Sequence, residues 1–244
     1  MAIETLGVVG AGAMGTGIIE VAAKAGVTVV ARDISPEAVE AGQGRVESSM
    51  AKAVERGKLD EAARDAAIAK ITWTTDLADL AACDLVIEAA PEILELKKEI
   101  FAELDGILGP DAIIATNTSS YPIIEVAMST RRPEQVVGMH FFNPATVMKL
   151  VEVISTQRTA EATKDGAAAF AADVLGKRVV HCKDRAGFVV NMLLVPYLCQ
   201  AMRMYEAGHA SAEDIDEAMK LGAGHPMGPL TLSDMIGLDV MLWT

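Results

Sequence analysis

Short apolar runs rich in Val and Ile alternate with longer amphipathic stretches through the first two-thirds of the chain. Residues 6–9, 27–31, 85–88, 113–115, 136–139 and 150–154 read as strands, and residues 36–56, 61–70 and 94–108 as helices. Strands alternating with helices predict an α/β fold with a doubly wound, mostly parallel sheet. Residues 36–70 are long for one crossover and predict a helical hairpin projecting from the sheet. Residues 150–154, a helical pattern at 163–175 and an apolar run at 179–181 read as a late addition to the sheet's edge. The pattern then changes at Arg185-Ala186-Gly187, and helical signals follow at 188–207, 211–221 and 230–238. Ser211 followed by Asp214 is a capping-box variant, and His225-Pro226-Met227-Gly228-Pro229 is a rigid loop between two helices. The expected division is a first domain over residues 1–186 and a smaller all-α domain over 187–244. The apolar run Met241-Leu242-Trp243 ends the chain inside a helical pattern and calls for cover, from a neighbouring chain or from further sequence. The second domain is therefore read as incomplete.

The first strand runs into Gly10-Ala11-Gly12-Ala13-Met14-Gly15, a G-x-G-x-x-G placed where a strand meets a helix. Gly10 permits the tight turn, Gly12 lets backbone N–H groups approach a pyrophosphate, and Gly15 lets helix and strand pack closely. Unpaired N–H groups at the helix start then favour phosphate. The second strand ends at Asp33, 18 residues beyond Gly15, near the spacing of a carboxylate that hydrogen-bonds a ribose 2′-OH. It would repel a 2′-phosphate, so the reading is NAD before NADP, tempered by Arg32 next door. Motif, strand and acidic residue together point to a Rossmann-type dinucleotide-binding domain.

Composition narrows the partners. At 51% apolar over 244 residues, the chain can build its core without disulfides or metals. A net charge of −13 argues against nucleic acid and against anionic membrane surfaces. Cys83, Cys182 and Cys199 are odd in number and scattered, with no zinc-type spacing, so no metal is expected and a reducing, cytoplasmic setting is. The start, Met1-Ala2-Ile3-Glu4-Thr5, has no basic region or cleavage site, so no signal peptide is expected. The most apolar later stretch, 188–199, is broken by Asn191 and Pro196 and is too short to span a bilayer.

Four residues stand out once a nicotinamide is assumed. His140 follows a strand, where ligands of open α/β sheets sit, and its ordinary pKa near ~6.5 suits it to accept an alcohol proton. Glu152 is a charge in an apolar strand, costly to bury without a partner, and could orient His140. Ser119 and Asn191 could hydrogen-bond the reacting oxygen. Each also has a plain structural role open to it. His140 could cap a strand, Glu152 could face solvent on an edge strand, Ser119 and Ser120 could cap the next helix, and Asn191 could satisfy backbone at the domain junction. Glu88 and Glu92 either line the cleft or start the next helix. The residues alone leave a dinucleotide-dependent enzyme, with a sugar-acid or hydroxyacid dehydrogenase and a non-catalytic NAD- or CoA-binding module both open.

Several strings together resemble the L-3-hydroxyacyl-CoA dehydrogenases, especially the bacterial 3-hydroxybutyryl-CoA enzymes. They are 10–15, Val86-Ile87-Glu88-Ala89-Ala90, Asn117-Thr118-Ser119-Ser120, Gly138-Met139-His140-Phe141-Phe142-Asn143-Pro144, Met148-Lys149-Leu150-Val151-Glu152-Val153, Gly187-Phe188-Val189-Val190-Asn191 and Pro226-Met227-Gly228-Pro229-Leu230. The resemblance implies oxidation of an (S)-3-hydroxyacyl-CoA by NAD, with His140 as general base, Glu152 orienting it, and Ser119 and Asn191 holding the substrate oxygen. It implies cofactor contacts at Gly10, Gly12, Met14, Gly15, Asp33, Glu92, Lys97, Asn117, Ser119 and Asn143. Ser49 and Arg56 on the hairpin would meet the CoA arm, Arg56 by charge alone. It also implies further helices after Thr244 and a homodimer in the full-length form.

Overall fold

The computed structural model describes residues 3–238, and the apolar run at 241–243 lies outside them. Two compact units divide the chain between Asp184 and Arg185.

The first unit is an eight-stranded sheet: β1 (Thr5–Val9), β2 (Thr28–Arg32), β3 (Ile71–Thr74), β4 (Leu85–Glu88), β5 (Ile113–Thr116), β6 (Val136–Phe141), β7 (Leu150–Ser155) and β8 (Arg178–Lys183). They lie in the order β3-β2-β1-β4-β5-β6-β7-β8. Pairing is parallel from β3 to β6, antiparallel between β6 and β7, and parallel between β7 and β8. β4, β5 and β6 are buried at every residue, which is why they read as unbroken apolar runs rather than alternations. β3 escaped the sequence reading. It has four residues, two of them Thr, and sits half-buried at one edge, too short for any period to register.

Helices cover the sheet. α1 (Ala13–Lys24) buries Ile18, Ile19, Ala22 and Ala23. The hairpin forms as α2 (Pro36–Glu55) and α3 (Glu61–Ile68), and both lean on α1. Gly42, Val46 and Met50, four residues apart, are the buried stripe of α2. A Cβ on Gly42 would stand 2.5 Å from that of Ala11, so α2 crosses directly over the glycine turn. α4 (Leu94–Ile107), α5 (Ile123–Ala127) and α6 (Glu161–Ala169, continuing in a wider turn Phe170–Val174) complete the unit.

The second unit holds α7 (Val190–Glu206), α8 (Ala212–Ala223) and α9 (Pro229–Ile236), with α9 packed on both others. Ser211 caps α8, accepting the Asp214 N–H at 3.1 Å. The Asp216 carboxylate accepts the Leu230 and Thr231 N–H groups at 2.8 and 2.9 Å, which fixes the start of α9.

Candidate active site

Parallel pairing puts the carboxyl ends of four strands on one rim: Val9 is in register with Glu88, Glu88 with Thr116, and Thr116 with Gly138. The residues that follow those positions carry the chemistry.

After β1 comes the glycine turn. Gly10 adopts φ +100°, and a Cβ there would meet the Ala89 carbonyl at 2.6 Å. A Cβ on Gly15 would lie 1.8 Å from the Gly10 oxygen, so α1 and β1 approach as closely as two backbones can. Gly12 faces open space. It is the N-cap of α1, and neither a side-chain cap nor an acidic residue occupies that first turn. The orphan N–H groups there are left for an anion. Asp33 accepts the Ala11 N–H at 2.7 Å and the Ile34 N–H at 2.6 Å, so it braces the turn and keeps lone pairs for a ribose. Arg45 of α2 donates to the Ala11 carbonyl at 2.9 Å. Met14 packs partly on the core beneath. Turn, open helix terminus and carboxylate fit a dinucleotide.

Beyond β4 and β5 lies a network of charges. Glu88 is wholly buried; it accepts from Lys97 and the Ala90 N–H at 2.7 Å each and from Thr116 Oγ1 at 2.7 Å. Glu92 faces Lys97 Nζ at 3.2 Å and accepts from Thr118 Oγ1 at 2.9 Å and the Ser119 N–H at 2.8 Å. Lys97 is 1% exposed in its side chain. Its ammonium donates to Glu88 at 2.7 Å and to the Ala90 carbonyl at 3.3 Å, and forms an ion pair with Glu92. Ser119 does not cap the next helix: the Asp184 carboxylate accepts the Ile123 and Ile124 N–H groups at 2.8 Å each. Its hydroxyl has only long contacts, 3.4 Å to Glu92 and 3.3 Å to Ser120 Oγ.

β6 supplies His140, directly opposite Glu152 of β7. Nδ1 of the imidazole and Oε2 of the carboxylate are 2.8 Å apart. The Glu152 side chain is 0% exposed and that of His140 7%, so Glu152 is no surface residue and β8, not β7, is the sheet's edge. Phe142 lies against the imidazole, ring centres 4.5 Å apart. Asn117 Oδ1 accepts the Phe141 N–H at 2.9 Å, which ties the Ser119 loop to the strand that carries His140. Glu88, Thr118 and Asp184 were not assigned these roles from the sequence. Glu88 was detectable as a charge closing an otherwise apolar strand; the other two act through distant partners.

Ser49 and Asn143 line one cleft between α1, α2 and the loop after β6, together with Arg45 and Thr146. Arg56 is exposed at the C-cap of α2. Asn191 stands in the first turn of α7, in the second unit. Burial first, then the neighbouring Asp84, pushes the Cys83 thiol up to about 12, and burial with Glu152 and Asp184 pushes Cys182 up to about 11. Both stay protonated near neutral pH and are poor nucleophiles. Among the described residues no group of His, Cys, Asp and Glu is arranged to hold a metal ion.

Residues 5–185 match the family model for the 3-hydroxyacyl-CoA dehydrogenase NAD binding domain, and residues 187–243 match that for the C-terminal domain of the same enzymes. A 3-hydroxybutyryl-CoA dehydrogenase of Mycobacterium tuberculosis is 53% identical over 241 residues, 98% of this chain and 84% of that protein. The crystal structure of M. tuberculosis FadB2 superposes with a TM-score of 0.98 at 52% identity, over 100% of this chain and 86% of that one. The (S)-3-hydroxybutyryl-CoA dehydrogenase PaaH1 of Ralstonia eutropha does so with a TM-score of 0.95 at 47% identity, over 99% and 85%. With both domains matched in order, the chain belongs to the 3-hydroxyacyl-CoA dehydrogenase family.

Proposed function

We propose that this chain interconverts (S)-3-hydroxyacyl-CoA and 3-ketoacyl-CoA thioesters with NAD, acting on short chains such as 3-hydroxybutyryl-CoA. The observation that carries the reading is the buried His140–Glu152 pair at 2.8 Å, set on the same unit as the glycine turn. A carboxylate only accepts hydrogen bonds, so His140 carries its proton on Nδ1 and keeps Nε2 as the base. Nε2 takes the proton of the C3 hydroxyl, and Glu152 stabilises the imidazolium that results. Bound NAD supplies the acceptor for the hydride leaving C3. Ser119 and Asn191 donate to the C3 oxygen, and in the reductive direction His140 returns its proton to it. Gly10, Gly12, Met14, Gly15, Asp33, Glu92, Lys97, Asn117, Ser119 and Asn143 serve the cofactor, and Ser49 and Arg56 the CoA arm. Asp33 favours NAD over NADP by charge.

We further propose a cytoplasmic homodimer. All three thiols are free, as a reducing setting would keep them. Leu193, Leu221 and Met235 of the second unit are 71%, 78% and 65% exposed, an amount of apolar surface that suits a partner subunit. None of the helices among the described residues is long and apolar enough to cross a membrane.

The test is reduction of acetoacetyl-CoA by NADH. His140→Ala is expected to lower kcat by roughly 10²–10⁴ while NADH affinity is retained. Near-normal turnover by that variant would remove the mechanism.

A further inference from the structure

We propose that Lys177 is a positioning residue for the acyl-CoA substrate, a latch that fixes the loop over residues 143–148 as one wall of the cleft that holds Ser49. The proposal rests on the function proposed above for that cleft.

The loop follows β6 and brings Asn143, Ala145 and Thr146 to the cleft that Ser49 and Arg45 of α2 also line. Within it, the Val147 and Met148 N–H groups both donate to the Pro144 carbonyl at 2.9 Å. The Ala145 and Met148 carbonyls need donors from outside that turn, and Lys177 supplies both. Its ammonium donates to Ala145 at 2.6 Å and to Met148 at 2.7 Å. The next residue adds a backbone bond, Arg178 N–H to the Lys149 carbonyl at 2.7 Å. The start of β8 therefore grips the loop by side chain and by main chain.

Lys177 is itself aimed by its backbone. Gly176, at φ +64°, ends the wide turn of α6, and the Lys177 N–H returns to the Ala171 carbonyl at 2.9 Å. On its inner side the loop rests on α1: a Cβ on Gly17 would stand 3.0 Å from that of Ala145. Its outer end has little packing, with Val147 68% and Met148 42% exposed. The ammonium bonds are what hold that end. Burial, and then the charge of Lys24, lower the Lys177 pKa, so a cation is disfavoured there on both counts and is offset by carbonyl dipoles. A wall held in this way contacts the thioester alike before and during reaction, so its loss should register in binding rather than in kcat.

Lys177→Met keeps the reach of the side chain and removes its donors. Three readings are taken: KM and kcat for acetoacetyl-CoA with NADH, the Kd for acetoacetyl-CoA by direct binding, and amide hydrogen exchange at Met148. The latch is expected to show as KM and Kd raised about tenfold with kcat within about threefold, and as faster Met148 exchange. Lys177→Arg keeps the charge and can donate to both carbonyls, and should return KM to within about threefold of the unaltered chain. Lys177→Gln is polar and shorter by a single bond; it serves where Lys177→Met does not fold and should show the same pattern. Unchanged KM and Kd in these variants, even with a lower urea midpoint, would overturn the proposal and leave Lys177 a residue of the fold alone. A fall in kcat with KM kept would overturn it as well. If the unaltered chain does not reduce acetoacetyl-CoA, the proposed function fails by itself, and the Kd and exchange readings still judge the latch.

Discussion

A single buried carboxylate decides which nitrogen of His140 would serve in the role proposed for it. Glu152 cannot donate, so its 2.8 Å contact with Nδ1 holds the proton there. Glu152→Gln keeps the shape but lets an amide N–H face Nδ1, which favours the wrong tautomer. It is expected to lower kcat roughly 10²–10⁴-fold with little change in the urea midpoint; a variant with unchanged kcat would separate Glu152 from catalysis.

At the scale of elements, the ends matter most. Asp184, the last residue of the first unit, caps α5 and so releases Ser119 from that task. Asp105, near the end of α4, holds the turn before β6 through Arg131 and Arg132, each at 2.7 Å. Burial would raise its pKa, but the hydrogen bonds from Arg131 and then Arg132 outweigh burial and hold it below the ordinary 3.8. The folded state thus prefers the carboxylate. The stabilisation is present in full above the unfolded-state value and fades as pH falls through the lower folded-state value. Asp105→Asn should cost about 1–2 kcal/mol at pH 7, seen as a lower urea midpoint. Its gap from the unaltered protein should close below pH 3.8; a gap that persists in acid would show that charge is not the cause.

For the whole molecule, the apolar core of the first unit gathers on the sheet and the helices that cover it. The sheet, the glycine turn, Asp33, Ser119 and the His140–Glu152 pair all lie before residue 185. A polypeptide of residues 1–186 is expected to unfold cooperatively and bind NADH within about tenfold of the full chain, yet, on the role proposed for Asn191, not to turn over substrate. Failure to bind NADH would tie the cofactor site to the helical unit. Much of the layout was legible beforehand. Six of the eight strands followed from runs of Val and Ile, which in β4, β5 and β6 reflect burial on both faces, and β8, which has no fully buried residue, from its apolar middle. The glycine turn, Asp33 and the His140–Glu152 contact were legible because turn geometry and chemistry each demand particular residue types. β3 was not, since four half-buried residues carry too little periodicity. Tertiary structure alone decided the antiparallel turn at β7 that faces Glu152 to His140, the burial of Lys97 against Glu88, and the cap from Asp184. Local sequence encodes how a segment buries its own face; which distant group then meets a given donor or acceptor is set only when the folded sheet brings the strand ends to one rim.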